Sequence, residues 1–453
     1  MDKEQTFYRT VVNIALPITL QSLLQSSFSV IDQIMTGQLG STSIAGIGLG
    51  GKFASLFFVL VSAVAAAAGI MIAQYIGKKD EREVSRSFFM NGMVVVILAI
   101  LFTVLCSIFP SQIMGIYTKD EMTRAVAADY LRILALSYFP LAVTNLLATL
   151  LRCMEAARIP LYAGIAAAII NTGLNYLLIF GKFGFPQMGV RGAALATVVS
   201  QIFGCILTLL LFFQYYRKQS LHLTFVWRVH KDNGMQYLGI LLPILVCEFF
   251  WSLGENVYAA VYGHIGTDDF AAMTLTTPIQ VLFIGALNGV AQAAGILIGK
   301  SLGREEYEKA YEESKKLMLY GLAGSLILSV ILLLSSRYYV KIYQVEESVR
   351  ILTSQILVVF ALIAPVKVQN MILGGGIIRS GGKTKYVMAI DFIGTWIFGV
   401  PLALLSAFFW KWSIPYVYFL LSLEECVRLG ISLLVFRQKT WMKSLDQVGT
   451  AAD

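Results

Sequence analysis

The stretch AAGIMIAQYIG at residues 67–77 returns as AAGILIGKSLG at residues 293–303, 226 positions further along the chain. The same offset relates Leu16-Pro17 to Leu242-Pro243. Each copy runs through apolar stretches of about 20 residues, the length that crosses a bilayer as a helix. A repeated membrane half is typical of secondary transporters, in which two similar bundles move about a site between them.

The sequence contains too few charged residues for the water-exposed surface of a typical soluble protein. Of the 453 residues, 57% are hydrophobic and 14% are charged, whereas average soluble domains have about 25% charged residues. Because backbone groups in lipid must be satisfied within a segment, the apolar stretches are predicted to be helices. We predict an all-α membrane protein with twelve transmembrane helices and no extramembrane catalytic domain. The spans are centred near residues 24, 60, 96, 136, 172, 204, 250, 284, 323, 362, 396 and 424.

The number of spans in each half predicts the arrangement of the halves. With six spans each, both halves enter the membrane in the same direction, which gives two pseudo-symmetric six-helix lobes around a central cleft. We predict an N-lobe at residues 1–214 (helices 1–6) and a C-lobe at 236–440 (helices 7–12). A cytoplasmic linker at 215–235 joins the lobes, and a cytoplasmic tail occupies 441–453.

The net charge of +8 does not indicate a nucleic-acid partner, because the basic residues are distributed along the chain in a membrane pattern. They concentrate in alternate loops and in the tail, as the positive-inside rule requires of cytoplasmic segments. We expect a multi-pass plasma-membrane protein with both termini in the cytoplasm. The basic loops carry Lys78, Lys79, Arg82 and Arg86, then Arg217, Lys218, Arg228 and Lys231, then Lys300, Arg304, Lys309, Lys315 and Lys316.

A polar stripe runs along the first span. Gln21, Gln25, Ser29, Asp32 and Thr36 follow one another at spacings of 4, 4, 3 and 4, which places them on one helical face. A charge inside the membrane costs roughly 2.5–3.5 kcal/mol on insertion scales, so Asp32 indicates a function. We expect this face to meet a partner helix or a water-filled cavity.

Spans five and six add oxygen-bearing side chains at helical spacing. Asn171 and Asn175 lie four residues apart, as do Thr197 and Gln201. With Asp32 they form a set of hard oxygen ligands that suits Na+, and a lone buried carboxylate suits a proton. The alternative is ordinary hydrogen bonding between helices by Asn and Thr, which is common in membrane bundles.

The second half carries acids of its own. In span twelve, Glu424 and Arg428 lie four residues apart, and two interpretations stay open: a functional acid, or an ion pair that only neutralises itself. Aromatic faces beside carboxylates can hold lipophilic cations. We therefore predict that the substrate cleft or second-lobe acids comprise Gln25, Glu248, Trp251, Glu255, Tyr258 and Asp391.

Motifs of soluble catalysis are missing from the sequence. There is no Walker A loop, so ATP is not the expected energy source, and HExxH does not occur. The five cysteines form no CxxC pair, and we interpret them as small buried apolar residues. We expect no enzymatic activity and no cofactor apart from Na+ or H+ as the coupling ion.

The chain resembles the multidrug and toxic compound extrusion (MATE) family from about residue 10 to about residue 438. The resemblance is carried by Asp32 ahead of TGQLG at 36–40, by NTGLN at 171–175 and by GVRGAALAT at 189–197. It implies Na+- or H+-coupled export of drug-like, often cationic compounds by twelve helices in two lobes. It also implies a coupling acid and its cation ligands, namely Asp32 with Asn171, Asn175 and Thr197.

The sequence departs from one branch of that family in span ten. Some members carry an acid there, whereas PVKVQN at 365–370 has Lys367, so a coupling site in span ten is not expected. The expected function is secondary active multidrug efflux by a monomer embedded in the lipid bilayer. The alternative is a flippase for a lipid-linked or polar metabolite on the same fold, which would need a cationic cleft for a pyrophosphate.

Overall fold

A computed structural model of the chain describes residues 3–218, 231–342 and 345–445, and every regular element in these ranges is a helix. Eleven of the described helical segments are long and apolar enough to cross a bilayer, which confirms the predicted all-helical membrane fold. We number them span 1 to span 11: Gln5–Leu39, Thr42–Lys78, Glu81–Ile108, Glu121–Cys153, Arg158–Phe180, Val190–Tyr216, Gly234–Ile265, Asp268–Gly303, Tyr307–Tyr339, Glu347–Ile378 and Thr384–Phe409.

The twelfth predicted span is present as two consecutive helices, Ile414–Ser422 and Glu424–Arg437, which together we call span 12. The interruption falls at Leu423. Three charged residues follow within the next two turns, and all three are buried. The break leaves helices of 9 and 14 residues, and the buried charges further distinguish span 12 from the longer, more apolar spans.

Two compact units divide the chain. The N-unit consists of Leu20–Ile72 and Asp80–Val229, and the C-unit of Met1–Thr19, Ala73–Lys79 and His230–Asp453, as far as these residues are described. Spans 1 and 2 therefore contribute residues to both units. The lobe boundaries stay a prediction, and most of the predicted linker at 215–235 lies outside the described residues.

In the N-unit, spans 5 and 6 pack closely. Span 5 ends at Phe180, and the next residue, Gly181, has a left-handed conformation with a φ of +65°. Glycine adopts this conformation without the steric penalty of a Cβ. Early in span 6, a Cβ on Gly192 would lie 2.7 Å from the Leu178 carbonyl group. This close approach brings the polar residues of span 5 beside those of span 6.

In the C-unit, the packing of two helices explains why the repeated stretch keeps a glycine at its end. Gly77 at the end of span 2 packs on the backbone of Lys300, and Gly303 at the end of span 8 packs on the backbone of Gln74. In both places a Cβ would overlap a carbonyl oxygen. Small residues let helix backbones approach closely in membranes, so the repeat preserves the crossing of these two helices.

Replacement of Gly303 by Val is therefore expected to destabilise the protein by about 1–3 kcal/mol, the usual cost of overpacking. The measurement is the melting temperature of purified protein in detergent. The matched control is Gly51→Val in span 2, where nothing lies within 4 Å of the added Cβ. Equal melting temperatures for the two variants would contradict the close crossing.

Spans 10 and 11 depart from α-helical geometry. A π-helical turn occupies Met371–Ile378 in span 10, and two more occupy Ile393–Gly399 and Leu405–Phe409 in span 11. Such turns inside α-helices are frequent at functional sites. Buried polar side chains lie beside or within two of these turns, at Gln369 in span 10 and at Thr395 in span 11.

Candidate functional site

A carboxylate and two amides meet in the N-unit. Asp32 of span 1 is partly buried, and its Oδ1 accepts a 2.8 Å hydrogen bond from Asn175 Nδ2. Asn175 Nδ2 also donates to Asn171 Oδ1 at 3.2 Å. The fold thus brings together three of the four residues predicted as cation ligands, from spans 1 and 5.

The Asn171 amide has two possible orientations at this site. In one, its nitrogen donates to Ser200 Oγ at 3.3 Å and to Thr197 Oγ1 at 3.5 Å. With the amide turned over, its nitrogen donates to the two Asp32 carboxylate oxygens at 3.0 and 3.1 Å. The first orientation sets the amide oxygen against the carboxylate oxygens, and a proton or a cation between these atoms stabilises such an arrangement.

Asn175 offers a further acceptor. Its side-chain oxygen is buried without a hydrogen-bond partner, in a residue that is 2% exposed. Leaving a buried acceptor unsatisfied costs about 1–3 kcal/mol, so this oxygen gains if a cation binds beside it. The Asp32 carboxylate, the Asn171 and Asn175 amides and the Thr197 hydroxyl together form the kind of hard-oxygen set that suits Na+.

The other residues of the polar stripe have separate environments. Gln21 Oε1 accepts a 3.0 Å hydrogen bond from Arg152 Nη2, and the Thr36 hydroxyl donates to the Asp32 backbone carbonyl at 2.8 Å. Gln25 is exposed. Within the described ranges, Asp32 has an amide partner and no ion pair with a Lys or Arg. Its carboxylate is therefore free of a permanent basic counter-charge there.

Two neighbours of this site were missed by the sequence analysis. Ser200 contacts Asn171, and Tyr130 of span 4 lies close enough to Asp32 to interact with its charge. Ser200 follows Thr197 by three residues, so helical spacing could have identified it. No spacing rule connects Tyr130 to the site, because it comes from another helix.

A larger charged network lies in the C-unit, centred on Arg428 of span 12. The guanidinium lies 3.3 Å from Glu424, 3.9 Å from both Glu425 and Asp391, and it donates to Thr395. Glu424 and Glu425 are each 5% exposed and Arg428 is 8% exposed. The Glu424–Arg428 ion pair is therefore present, and it belongs to a wider network.

Spans 7 and 10 supply further partners for the two glutamates. The Tyr258 hydroxyl donates to Glu424 Oε2 at 2.5 Å. Lys367 Nζ lies 3.8 Å from Glu425 Oε1, and Asn370 Nδ2 donates to Glu425 Oε2 at 2.8 Å. Lys367, at the position in span ten where some members of the family carry an acid, thus lies beside a buried glutamate.

Two glycines of span 11 leave the space that this network occupies. A Cβ on Gly394 would collide with the Arg428 side chain, and one on Gly399 would collide with Glu424 and Tyr258. Both glycines belong to the π-helical turn Ile393–Gly399. The irregular turn of span 11 and the buried charges of span 12 therefore fit one another.

A second basic residue, Arg379, lies beside an acid in the middle of span 7. Arg379 Nη1 lies 3.7 Å from Glu248 Oε1, and its Nη2 donates to Cys247 Sγ at 3.5 Å. The Cys247 thiol in turn donates to Asp391 Oδ2 at 2.9 Å. The partners of Asp391 are therefore Cys247 and Arg428.

The remaining predicted residues of span 7 are more accessible. Glu255 is exposed, and Trp251 is 49% exposed. A cavity of about 320 Å³ opens between spans 7 and 11, with mainly apolar and aromatic walls that include Trp251 and Trp396, and with Asp391 in its lining. Trp396 Nε1 donates to the Phe250 carbonyl at 3.2 Å, which fixes one aromatic wall.

Comparisons with known proteins agree with this helical architecture. The curated protein called uncharacterized transporter YisQ, from Bacillus subtilis, is 21% identical over 449 residues, with 97% of this chain and 96% of the relative covered. The probable multidrug resistance protein NorM of Thermotoga maritima is 24% identical over 453 residues, with 96% and 93% covered. This chain is thus similar along nearly its whole length to one protein named as a transporter and to another named as a probable multidrug resistance protein.

Solved structures show the same fold at low sequence identity. A crystal structure of a MATE protein in complex with MaL6 has a TM-score of 0.87 at 17% identity and covers 97% of both chains. A transporter of the MOP superfamily from Pyrococcus furiosus has a TM-score of 0.85 at 17% identity and covers 96% of both. The MatE family model matches this chain twice, at residues 17–177 and 243–405, once in each copy of the internal repeat. The chain therefore belongs to the MatE family.

Proposed function

We propose that the protein is a secondary active transporter that exports organic, often cationic compounds in exchange for Na+ or H+. The names of its relatives support a transport role and drug-like substrates, since one is called a transporter and another a multidrug resistance protein. The long apolar spans support a place in the plasma membrane, and the concentration of basic residues in alternate loops supports cytoplasmic termini. We further propose that it works as a monomer without a cofactor.

The observation that carries the proposal is the environment of Asp32. A carboxylate within a membrane span is costly unless it has a function, and this one is surrounded by neutral amide and hydroxyl groups in the described structure. A neutral surrounding leaves the negative charge available for an exchangeable cation. A fixed ion pair, such as those around Arg428, would not.

Either coupling ion suits the arrangement. Na+ would draw on the Asp32 carboxylate with the oxygens of Asn171, Asn175 and Thr197. A proton would need only the carboxylate, and the protonated oxygen would donate to the Asn171 amide oxygen in one of its two orientations. The chemistry of the ligands therefore favours coupling at this position without choosing the ion.

The energetic requirement explains why ion and substrate must act together. A swing of a two-state equilibrium from 1:99 to 99:1 needs about 5.5 kcal/mol of differential binding. One charge moving across 100 mV contributes about 2.3 kcal/mol. We infer that ion binding at Asp32 supplies part of the bias between inward-open and outward-open states and that substrate binding supplies the rest.

The C-unit offers surface for an organic cation. Glu255 and Trp251 are exposed on span 7, and the cavity between spans 7 and 11 has aromatic walls. Aromatic faces with a nearby carboxylate attract lipophilic cations. We propose that these residues contact the substrate, whereas Glu248, Tyr258 and Asp391 act mainly within the buried network.

The decisive experiment uses purified protein in liposomes. Movement of an ethidium-like dye is followed under an imposed Na+ gradient and, separately, under an imposed pH gradient. We expect dye movement against its gradient with one of the two ions and none in protein-free liposomes. Absence of dye movement under both gradients would contradict multidrug antiport and favour the flippase alternative.

Replacement of Asn175 by Leu is expected to raise the ion concentration that half-saturates dye movement by about 10–100-fold, the usual effect of losing a group that supports an ion ligand. The change removes both the amide donor to Asp32 and the unpartnered oxygen. The same measurement on Asn256→Leu, at an exposed position of span 7, serves as the control. An unchanged half-saturating concentration in Asn175→Leu would exclude Asn175 from the ion site.

A further inference from the structure

The segment after span 12 is held by one buried glutamine of span 2. Gln74 is 1% exposed, and its Nε2 donates to the Ser380 carbonyl at 2.6 Å and to the Lys443 carbonyl at 3.4 Å. Its Oε1 accepts a hydrogen bond from the Leu445 backbone N–H at 2.9 Å. All of these residues belong to the C-unit. The side chain of Gln74 thus forms hydrogen bonds with backbone groups of residues more than 300 positions away in the sequence.

Apolar contacts anchor the same segment, residues 438–445, which we call the strap. Trp441 is 0% exposed, and its ring stacks on Phe436 with centroids 5.7 Å apart. The Trp441 carbonyl lies against Gly381, where a Cβ would overlap it. Near the end of the strap, Gln236 of span 7 donates to the Leu445 carbonyl at 2.7 Å. The strap is therefore docked by specific contacts at its middle and at its C-terminal end.

The docking site is part of the crossing between spans 2 and 8. Gln74 provides the carbonyl against which Gly303 packs, and Arg304 Nε donates to the Gly77 carbonyl at 3.4 Å. Span 2 continues from the N-unit into the C-unit at Ala73. A contact that holds Gln74 therefore holds the end of a helix that both units share.

We propose that the strap is a releasable latch that holds the end of span 2 in the C-unit and must undock in each transport cycle. The inference rests on the proposed function, because only a protein that changes state needs such a latch to open. The polar contacts suit a reversible device. When the strap leaves, water can satisfy Gln74 and the exposed backbone groups, so that both states are tolerable.

The test measures the accessibility of a thiol at a buried strap position. Ser444 is 3% exposed, and Ser444→Cys is introduced in a background in which the five native cysteines are replaced. Maleimide labelling is followed in purified protein in detergent, where membrane orientation does not matter. We expect Gln74→Leu to raise the labelling rate about tenfold, because it removes the two hydrogen bonds between Gln74 and the strap. Gln438→Leu, at an exposed strap position, should leave the rate unchanged.

Labelling must also respond to the coupling ion if the strap moves in the cycle. We expect the rate in the parent protein to change at least threefold when Na+ or pH is varied, and a merely structural tail would stay protected throughout. An identical rate in Gln74→Leu and the parent overturns the proposal, whether or not the parent moves dye in liposomes. If Gln74→Leu is not recovered folded, Gln236→Leu tests the same docking by removing only the bond to Leu445.

Discussion

Replacing Asp32 with Asn is expected to abolish ion-coupled dye movement while the protein is still produced and folded. Asparagine has the shape of aspartate and still accepts the hydrogen bond from Asn175 Nδ2. It lacks the negative charge, and two unit charges 4 Å apart interact by about 4 kcal/mol at an effective dielectric constant of 20. That energy corresponds to about a thousandfold loss of cation affinity, and an amide cannot take up the proton either.

The measurement is the liposome assay under both gradients, together with the melting temperature in detergent. Asp129→Asn is the matched control, because Asp129 carries the same carboxylate at an exposed position, paired with Arg191 at 2.6 Å. We expect the control to transport normally. Ion-dependent efflux at the parent rate in Asp32→Asn would remove Asp32 from the coupling role and redirect attention to the acids of the C-unit.

The features that could be predicted from the sequence are those that depend on one helix at a time. Membrane span length follows from bilayer thickness, and residues four apart share a helical face, so Asn171 and Asn175 were predicted as neighbours. The Glu424–Arg428 pair followed from the same rule. The hydrogen bond from Asn175 to Asp32 joins two spans; the family resemblance implied that the two residues lie close together, but not this bond.

Contacts between helices of unrelated sequence could not be predicted in this way. Lys367 was noticed as a departure from one branch of the family, but nothing in its own span indicates that it faces Glu425. Tyr258 was predicted to lie in a substrate cleft because it is aromatic and near acids, whereas its hydroxyl donates to the buried Glu424. Which neighbouring helix supplies a partner depends on how the helices pack. At Gly394 and Gly399 the absence of a side chain lets the charged residues of span 12 approach span 11.

The repeat itself contained information that the sequence analysis did not use. Gly77 and Gly303 were identified as equivalent positions, yet the reason for glycine at both became clear only from the backbone contacts with Lys300 and Gln74. Within the repeated stretch, Gln74 is replaced by Lys300 in the second copy. Both copies of the repeat therefore keep the glycine at which spans 2 and 8 cross, but only the first copy has the glutamine that binds the strap.

Arg428→Met is expected to destabilise the protein by about 3–5 kcal/mol, the cost of breaking a buried ion pair and leaving its partners charged. Methionine fills a similar volume, so the loss is mainly electrostatic. The change leaves Glu424 without its basic partner and removes one of two basic partners from Glu425, since Lys367 remains 3.8 Å away. The measurement is the melting temperature in detergent, with size-exclusion chromatography to confirm a single folded species.

The control for Arg428 tests whether burial or distance decides the energy. Arg191 lies 2.6 Å from Asp129, closer than Arg428 lies to any of its acids, but the side chains of this pair are 62% and 45% exposed. Exposed ion pairs contribute about 0–1 kcal/mol because water screens them, so Arg191→Met should barely change the melting temperature. Adding Glu424→Gln to Arg428→Met should recover part of the lost stability, because one uncompensated buried charge disappears. If Arg428→Met and Arg191→Met melt at the same temperature, water reaches the network around Arg428, and its acids become candidates for ion exchange alongside Asp32.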